Sequence, residues 1–483
     1  MNSPNIDFKV HPKTRSYTHS QAQLFLNEVT TYLQHYPETS DVDIFLHDLN
    51  GHIRGKRIDI NSLKGLSKGC YFPLSVYAMS LDGKVVEEAG IGKHIGEPDQ
   101  LCTPILGTLQ PSALHPTTHA QLFLSMKEED GSDCPLEPRN ILKKILNQFH
   151  QADYFPVMTA ELEFFLYKAT NDDGSQNILP SQCFDLDALD QNQQILEEIK
   201  TQAGLQSIEI ISIVAESAQG QYELNIQHSR DILKLADQIM ALKRIVKQVA
   251  QQHQLLASFM AKPSMHQAGS GLHFHMSLLN QQHDNLFSLT PQARLSTTAP
   301  IASTSTAEGL SVATDQTAPL LLKALAGLIE LMPASMAILA PNINSFRRFK
   351  MGNHVPMEAN WGSNNRNVAI RLPCSDQQNK RFEYRVAGAD ANPYLALSII
   401  LIGVWHGIHH DLVLPPPSQL MKLNDQRRFL PNNQLDALQL FKNHPILNQY
   451  LGSKFVELWY TCKLSEYQTI HNQITSMELK WGI

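Results

Sequence analysis

Apolar and polar positions along this 483-residue chain fall into two regimes. Up to about residue 130 the apolar runs are short and broken by turn dipeptides. "DVDIFLHDLNGHIRGKRIDI" (41–60) reads as strand, Asn-Gly turn, strand, which is a hairpin signal. "FPLSVYAMSLDGKVVEE" (72–88) offers a second pair of strands around Asp82-Gly83, and a Pro-rich stretch from 102 leads into a strand at 120–126. Ahead of them, 21–36 sets Leu24, Val29 and Leu33 at helical spacing, while 1–20 is polar and reads as loose. The pattern changes at "EPRNILKKILNQFHQA" (137–152), a helix that opens at a proline. From there strands alternate with long helices. In 229–256, Ile232, Leu235, Ile239, Leu242 and Ile245 form one apolar stripe. Residues 290–318, rich in Thr, Ser and Ala, read as a loop insertion. No fixed-period repeat is present. The expectation is an α+β protein with a loose segment 1–20, a β-rich domain 21–134 and a larger domain 135–483.

One strand breaks the apolar rule. "TAELEFFLY" (159–167) carries Glu161 and Glu163 one residue apart, so both point to one face while Leu162, Phe164 and Leu166 take the other. Two carboxylates in apolar surroundings repel, and a divalent cation between them removes the penalty. An edge strand with a solvated face is the ordinary alternative. Other segments behave alike. Glu216 and Glu223 flank a Gln219-Gly220 turn, and His273 and His275 share a face of "SGLHFHMSL". Arg381, Glu383 and Arg385 share a face of "KRFEYRVA", and "NSFRRF" and "NNRNVAIRLP" add Arg347, Arg348, Arg366 and Arg371. Singly these read as a surface turn, a core histidine and a salt-bridge ladder. Together they present hard oxygen donors with imidazole, which suits Mg²⁺ or Mn²⁺. Flanking arginines are what phosphoryl transfer needs. No G-x-x-x-x-G-K-[ST] is present, so a P-loop is excluded. The spacing leads to a metal-dependent, ATP-using enzyme and leaves the acceptor open.

Composition narrows the remaining classes. Hydrophobic content of 42% and charged content of 18% fit a folded globular chain, and a net charge of −7 gives nucleic-acid binding no general support. Six scattered cysteines without a C-x-x-C argue against a zinc knuckle or a secreted disulfide framework. The first fifteen residues lack an apolar signal core, and the most apolar short run, 395–405, is too short to span a bilayer. The expectation is a cytoplasmic protein with no membrane partner.

In this order, "AELEFFLY", "GQYELN", "GSGLHFHMSL", "NSFRRF", "NNRNVAIRLP" and "RFEYRVAGADANPYLAL" resemble the catalytic motifs of the glutamine synthetase superfamily, over roughly residues 40–410. The resemblance implies an N-terminal β-grasp domain and a catalytic domain built on a curved antiparallel sheet with helices. It implies a dodecamer of two hexameric rings with active sites between neighbouring subunits. Two to three Mg²⁺ or Mn²⁺ ions are implied, with ATP as co-substrate. Glu163, Glu216 and Glu223 look like ligands of one metal, and Glu161, His273 and Glu383 like those of another. Gly269, Arg348 and Arg385 resemble the glutamate-binding set, and His275, Ser277, Arg366, Arg371 and Arg381 the nucleotide-binding set. Arg366, Arg385 and Glu383 are the residues implied nearest to the chemistry. Enzymes that use ammonium carry an Asp in the first domain and a Glu in a flap. Here the comparable stretches are "FPLSVYAMSLDG" and "MGNHVPMEANWG", with no acid at the first and His354 at the second. "LNGHIRGKRI" and "GEPDQLCTPILGTLQP" are similar to the branch that makes γ-glutamyl polyamines. An amine pocket is expected at His354 and Trp361, with Tyr77, Glu87 and Glu88 as further candidates, and His354 as a candidate base. A monoamine such as ethanolamine, ammonium itself, or a non-catalytic ring scaffold are the alternatives.

Overall fold

Two sheets, one from each regime of the sequence, organise the chain. The structure is a computed structural model, and it describes residues 19–168, 183–289, 317–349, 355–421 and 427–481. The first sheet contains β1 (Asp41–His47), β2 (Ile53–Asp59), β3 (Cys70–Pro73), β4 (Asp99–Pro104), β5 (Gln110–Pro111) and β6 (His119–Met126). Its order is β2-β1-β6-β4-β3, with β5 alongside β6. β1 and β2 form the expected hairpin, Asp41 opposite Asp59 through His47 opposite Ile53, and β1 runs parallel to β6. The helix His19–His35 lies outside it, burying Phe25, Val29 and Tyr32 while Leu24 faces solvent. The expected stripe was thus one position out of phase at its start.

The pair of strands expected at 72–88 is not formed. Leu74–Ala78 winds into a short 3-10 helix, and only Met79 and Val85 bridge across the Asp82-Gly83 turn. The reason is local docking: Leu74 N–H donates to Pro98 O and Ser75 Oγ to Glu97, which draws the chain off an extended path.

The second sheet is assembled from β7 (Phe155–Lys168), β8 (Ile210–Ala215), β9 (Gln221–Ile226), β10 (Leu255–Ser258), β11 (Leu272–Leu279), β12 (Trp361–Ser363), β13 (Ile370–Leu372) and β14 (Phe382–Tyr384). The order is β12-β13-β14-β11-β7-β9-β8, with β10 also on β7. It is antiparallel except for the parallel pair β12–β13. Helices Pro138–Gln151, Ile232–Gln252, Pro319–Leu339 and Pro393–His409 supply the core behind it. All five residues of the stripe from Ile232 to Ile245 are buried. Pro319–Leu339 is long and apolar enough to cross a membrane by length and composition, but 78% of its apolar window is buried inside the protein. It packs on Pro393–His409 almost backbone to backbone. A Cβ at Gly327 would lie 2.2 Å from Gly403 O, so only glycine permits the approach. Of the expected insertion 290–318, residues 290–316 lie outside the described residues.

Buried polar groups tie three of these helices to one another. Arg139 reaches both oxygens of Asp237 at 2.9 Å, and Tyr394 Oη donates to the same carboxylate at 2.7 Å. Nearby, His47 at the end of β1 sits among Phe45, Phe123 and Tyr394. Its Nε2 is buried with no partner among the described residues. Burial, with Arg244 and Arg139 close by, pushes its pKa from 6.5 down to about 3. Between those two values the unfolded chain holds the extra proton, so stability falls as pH drops through that window. His47→Phe is therefore expected to move the acid-unfolding midpoint to lower pH, followed by circular dichroism from pH 8 to pH 3. An unchanged midpoint would mean that this ring does not govern acid sensitivity.

Candidate active site

The E-x-E and H-x-H motifs become a staircase across neighbouring strands. Along β7, residues with odd numbers from Val157 to Glu163 face the concave side, and the even ones pack into the core. In register, Glu163 lies opposite Glu223 of β9. Glu161 lies opposite His273 of β11, and His275 lies opposite Glu383 of β14, which faces Arg371 of β13. Each motif thus spans two rungs, and five strands place their polar side chains in one row.

Contacts along the row are close. Glu161 shares hydrogen bonds with His275 Nε2 at 2.8 Å and His273 Nδ1 at 3.2 Å. Glu163 Oε2 accepts from Gly271 N at 2.9 Å and Gln221 Nε2 at 3.0 Å, and its other oxygen lies 3.8 Å from His273 Nε2. Asn225 Nδ2 donates to Glu223 at 2.8 Å. Glu383, which is 1% exposed, accepts from Arg371 Nη1 at 2.9 Å and from Arg385 Nη1. Glu216 follows β8 and, across the Gly220 turn (φ +73°), stands near the same carboxylates.

The electrostatics follow from burial and charge. Burial by itself would raise Glu161, but the hydrogen bonds and charges of His273 and His275 hold it well below the usual carboxylate range. Glu383 is likewise lowered, with burial opposed by Arg385. The other end of the row is different. Burial and repulsion from Glu163 push Glu216 up to about 7, and burial with Glu161, Glu163 and Glu216 raises Glu223 as well. These are carboxylates lacking positive charge. Toward β14, His275 Nδ1 is buried without a partner among the described residues. Oxygen donors starved of a cation fit a hard divalent ion. Donor atoms of Glu161, Glu223 and His273 lie within 4.8 Å of one another, as do those of Glu161, His275 and Glu383. Glu161 belongs to both groups. The sequence reading set Glu161 with His273 and Glu383, set Glu163 with Glu216 and Glu223, and gave His275 to the nucleotide.

The arginines divide by depth. Arg348 is buried, donating to Val386 O at 3.1 Å and Ala387 O at 2.9 Å. It lies against Gly269 and Gly271. A Cβ on Gly271 would come 2.5 Å from His273 Nε2 and 3.0 Å from Arg348 Nη2, so this glycine lets the arginine and the histidine meet. Arg385 and Arg371 lie in the row through Glu383, and their Nε atoms have no partner among the described residues. Ser277 continues the face of His273 and His275 along β11. Arg381 is half-buried and donates to Asn379 O. Arg366 is exposed, and its charge is felt, with that of Glu216, at the Cys183 thiol.

Among the amine-pocket candidates, Trp361 is not at the row's surface. Its ring is 0% exposed and its Nε1 donates to Pro415 O at 2.8 Å, because the inner face of β12 is core. Tyr77 is also fully buried, bonded to Glu137. Glu87 accepts from Lys93 N, and Glu88 is exposed. His354 lies outside the described residues. The sequence reading passed over Gln221 and Asn225, which orient Glu163 and Glu223. The period of two in "QYELN" already put all three polar residues on one face. A cavity of about 370 Å³ between the first sheet and the helix Ile232–Gln252, edged by Gln121, Arg139 and Asp237, contains none of these donors.

Comparison with known proteins adds an independent line. The family profile for the catalytic domain of glutamine synthetase matches residues 135–304 and 306–482. The γ-glutamylputrescine synthetase PuuA of Escherichia coli (strain K12) is 43% identical over 472 residues, covering 95% of this chain and 94% of its own. The glutamine synthetase of Thermus thermophilus is 26% identical over 447 residues, covering 89% and 95%. A solved structure of GmaS in complex with ADP superposes with a TM-score of 0.76 at 24% identity, covering 94% of this chain and 98% of that one, and supports the fold.

A cation requirement is directly testable. Mg²⁺ or Mn²⁺ is expected to raise the thermal midpoint of the wild-type protein, and EDTA to lower it. Glu223→Gln removes one repelling charge and one donor. It is expected to be at least as stable as wild type without metal and to lose most of the metal-induced shift in the same thermal scan.

Proposed function

Because the chain belongs to the glutamine synthetase family, as the match over residues 135–304 and 306–482 establishes, we propose that its carboxylate–imidazole row carries out ATP-dependent amide formation on glutamate. The product is a γ-glutamyl amide of a putrescine-like di- or polyamine. The observation that carries the choice of amine is 43% identity over 95% of the chain to a γ-glutamylputrescine synthetase, against 26% to a glutamine synthetase. The absence of both acids that serve ammonium in the family points the same way.

The chemistry is two substitutions. An oxygen of the glutamate γ-carboxylate attacks the γ-phosphorus of ATP and ADP leaves. The nitrogen of the amine, having lost a proton, then attacks the acyl carbon, and inorganic phosphate departs. Divalent cations, when bound by Glu161, Glu163, Glu216, Glu223, His273, His275 and Glu383, supply Lewis-acid neutralisation of phosphate oxygens. The protein's own groups do the rest. Arg348 takes the α-carboxylate of glutamate beside Gly269. Arg385, held by Glu383, stands by the γ-carboxylate. Ser277, Arg371, Arg381 and Arg366 face the nucleotide and its phosphates, with His275 beside them. Guanidinium groups fixed in this way stabilise the charge that builds on the transferring phosphoryl group. In this reading the enzyme is cytoplasmic and works as a dodecamer of two hexameric rings, with residues 21–134 as its β-grasp domain and 135–483 as its catalytic domain.

Phosphate release with ATP, Mg²⁺ and glutamate is expected to need an amine, and to be fastest with putrescine or a related di- or polyamine in a panel that includes ammonium, ethanolamine, cadaverine and spermidine. Turnover with ammonium alone would return the chain to the glutamine-forming branch. No turnover with any amine would favour a ring scaffold. Glu163→Ala is expected to lower kcat by at least about a hundredfold while the elution volume of the assembly stays that of wild type. Retained activity would remove Glu163 from the metal site.

A further inference from the structure

A buried ion pair far from the catalytic row in sequence is wired to the segment that carries Arg348. Lys463 and Glu466, on the helix Ser453–His471, are 1% and 6% exposed and lie 2.8 Å apart. Neither is satisfied by its partner alone. Glu466 Oε1 accepts from Asn50 Nδ2 at 2.8 Å and from Leu81 N at 3.0 Å, so it grips two turns of the N-terminal sheet region. Lys463 Nζ donates to Asn50 Oδ1 and, at 3.1 Å, to Asn342 Oδ1. Asn342 Nδ2 in turn donates to Asp390 Oδ2 at 2.8 Å, and Ser345 Oγ donates to the same oxygen at 2.6 Å. Asn342 N closes the loop on Ser345 Oγ at 3.0 Å. Asn342 and Ser345 are the N-cap and third residue of the one-turn helix Ile343–Phe346, and Arg348 follows one residue after its C-cap, Arg347. On its other side, Arg348 is held by the carbonyls of Arg385, Val386 and Ala387, which lead from Glu383 toward Asp390.

We infer that Lys463 and Glu466 are positioning residues for glutamate: through Asn342 and Asp390 they fix the turn 342–346, and with it the place of the Arg348 guanidinium. The inference rests on Arg348 being the arginine that receives the α-carboxylate of glutamate. A buried pair is weak evidence of net stabilisation, since well-packed apolar residues often replace such pairs without loss. What the apolar replacement cannot supply is the set of directional hydrogen bonds to Asn50, Leu81 and Asn342. The pair therefore serves register rather than stability. It also makes the β1–β2 turn part of the same rigid unit, because Asn392, two residues beyond Asp390, donates to Asp48 O and Leu49 O.

The test is the double variant Lys463→Met/Glu466→Met in the full-length protein, beside Lys463→Arg and wild type. The double variant leaves no unpaired buried charge, so it is expected to fold and assemble. Its KM for glutamate is expected to rise by about tenfold or more, with kcat and the KM for ATP within about threefold of wild type. Lys463→Arg, which keeps the charge and the donors, is expected to recover most of the glutamate affinity. Hydrogen–deuterium exchange is expected to quicken in the peptide spanning 342–349 and to stay unchanged in 155–168. If exchange at 342–349 is unchanged, or if it quickens while the KM for glutamate stays at the wild-type value, the inference is overturned. If wild type shows no glutamate-dependent turnover, the functional reading fails instead, and the exchange experiment still reports on the coupling of 463 and 466 to the turn. Should the double variant not fold, Asn342→Ala, which cuts the same link at an uncharged residue, carries the same expected split in KM and exchange.

Discussion

Like charge brought together on the floor of a curved sheet is the constraint that the rest of the structure serves. Glu161 and Glu163 lie on β7, Glu223 on its neighbour β9 and Glu383 on β14 across β11, with Glu216 at the start of the β8–β9 turn. Left alone in a half-buried setting, they would repel and take up protons. The fold answers one residue at a time. Imidazoles flank Glu161, a backbone N–H and an amide hold Glu163, and two guanidiniums grip Glu383. The answer runs out at Glu216 and Glu223, whose raised pKa values mark where positive charge is still wanted. A site that balanced its charges without a cation would have no use for one.

Holding such a row in place needs a stiff background, and the apolar half of each strand provides it. Leu162, Phe164, Leu224, Phe274 and Phe382 turn away from the site and are fully buried against helices. The close crossing at Gly327 and Gly403 lets two of those helices pack with almost no gap. Preorganised groups act on a transition state without first having to reorient, which is how a fixed row of donors accelerates phosphoryl transfer. The same stiffness reaches Arg348, which lies against two glycines and donates to a run of backbone carbonyls. Its position is decided by backbone geometry as much as by charge.

Strand periodicity is legible in the chain alone, and it shows which residues share a face. Alternation alone put Glu161 with Glu163, His273 with His275, and Gln221 with Glu223 and Asn225. The ordered motifs then identified the family and the chemistry, and the Asn-Gly hairpin and the 232–252 helix followed from turn chemistry and helical spacing. Three things were decided only in the folded protein. The first is register: the partnering of Glu161 with both histidines depends on how β7 and β11 slide past one another, which no property of either strand alone specifies. The second is local docking. Residues 74–78 leave an extended path because Pro98 and Glu97 offer partners from a distant point in the chain. The third is depth. An aromatic beside a catalytic motif, such as Trp361, can line a pocket or fill the core, and its burial depends on what packs over β12. Pattern within a segment is a local property of covalent geometry. Partner, register and depth come from contacts between segments far apart in sequence, and those exist only once the chain has closed on itself.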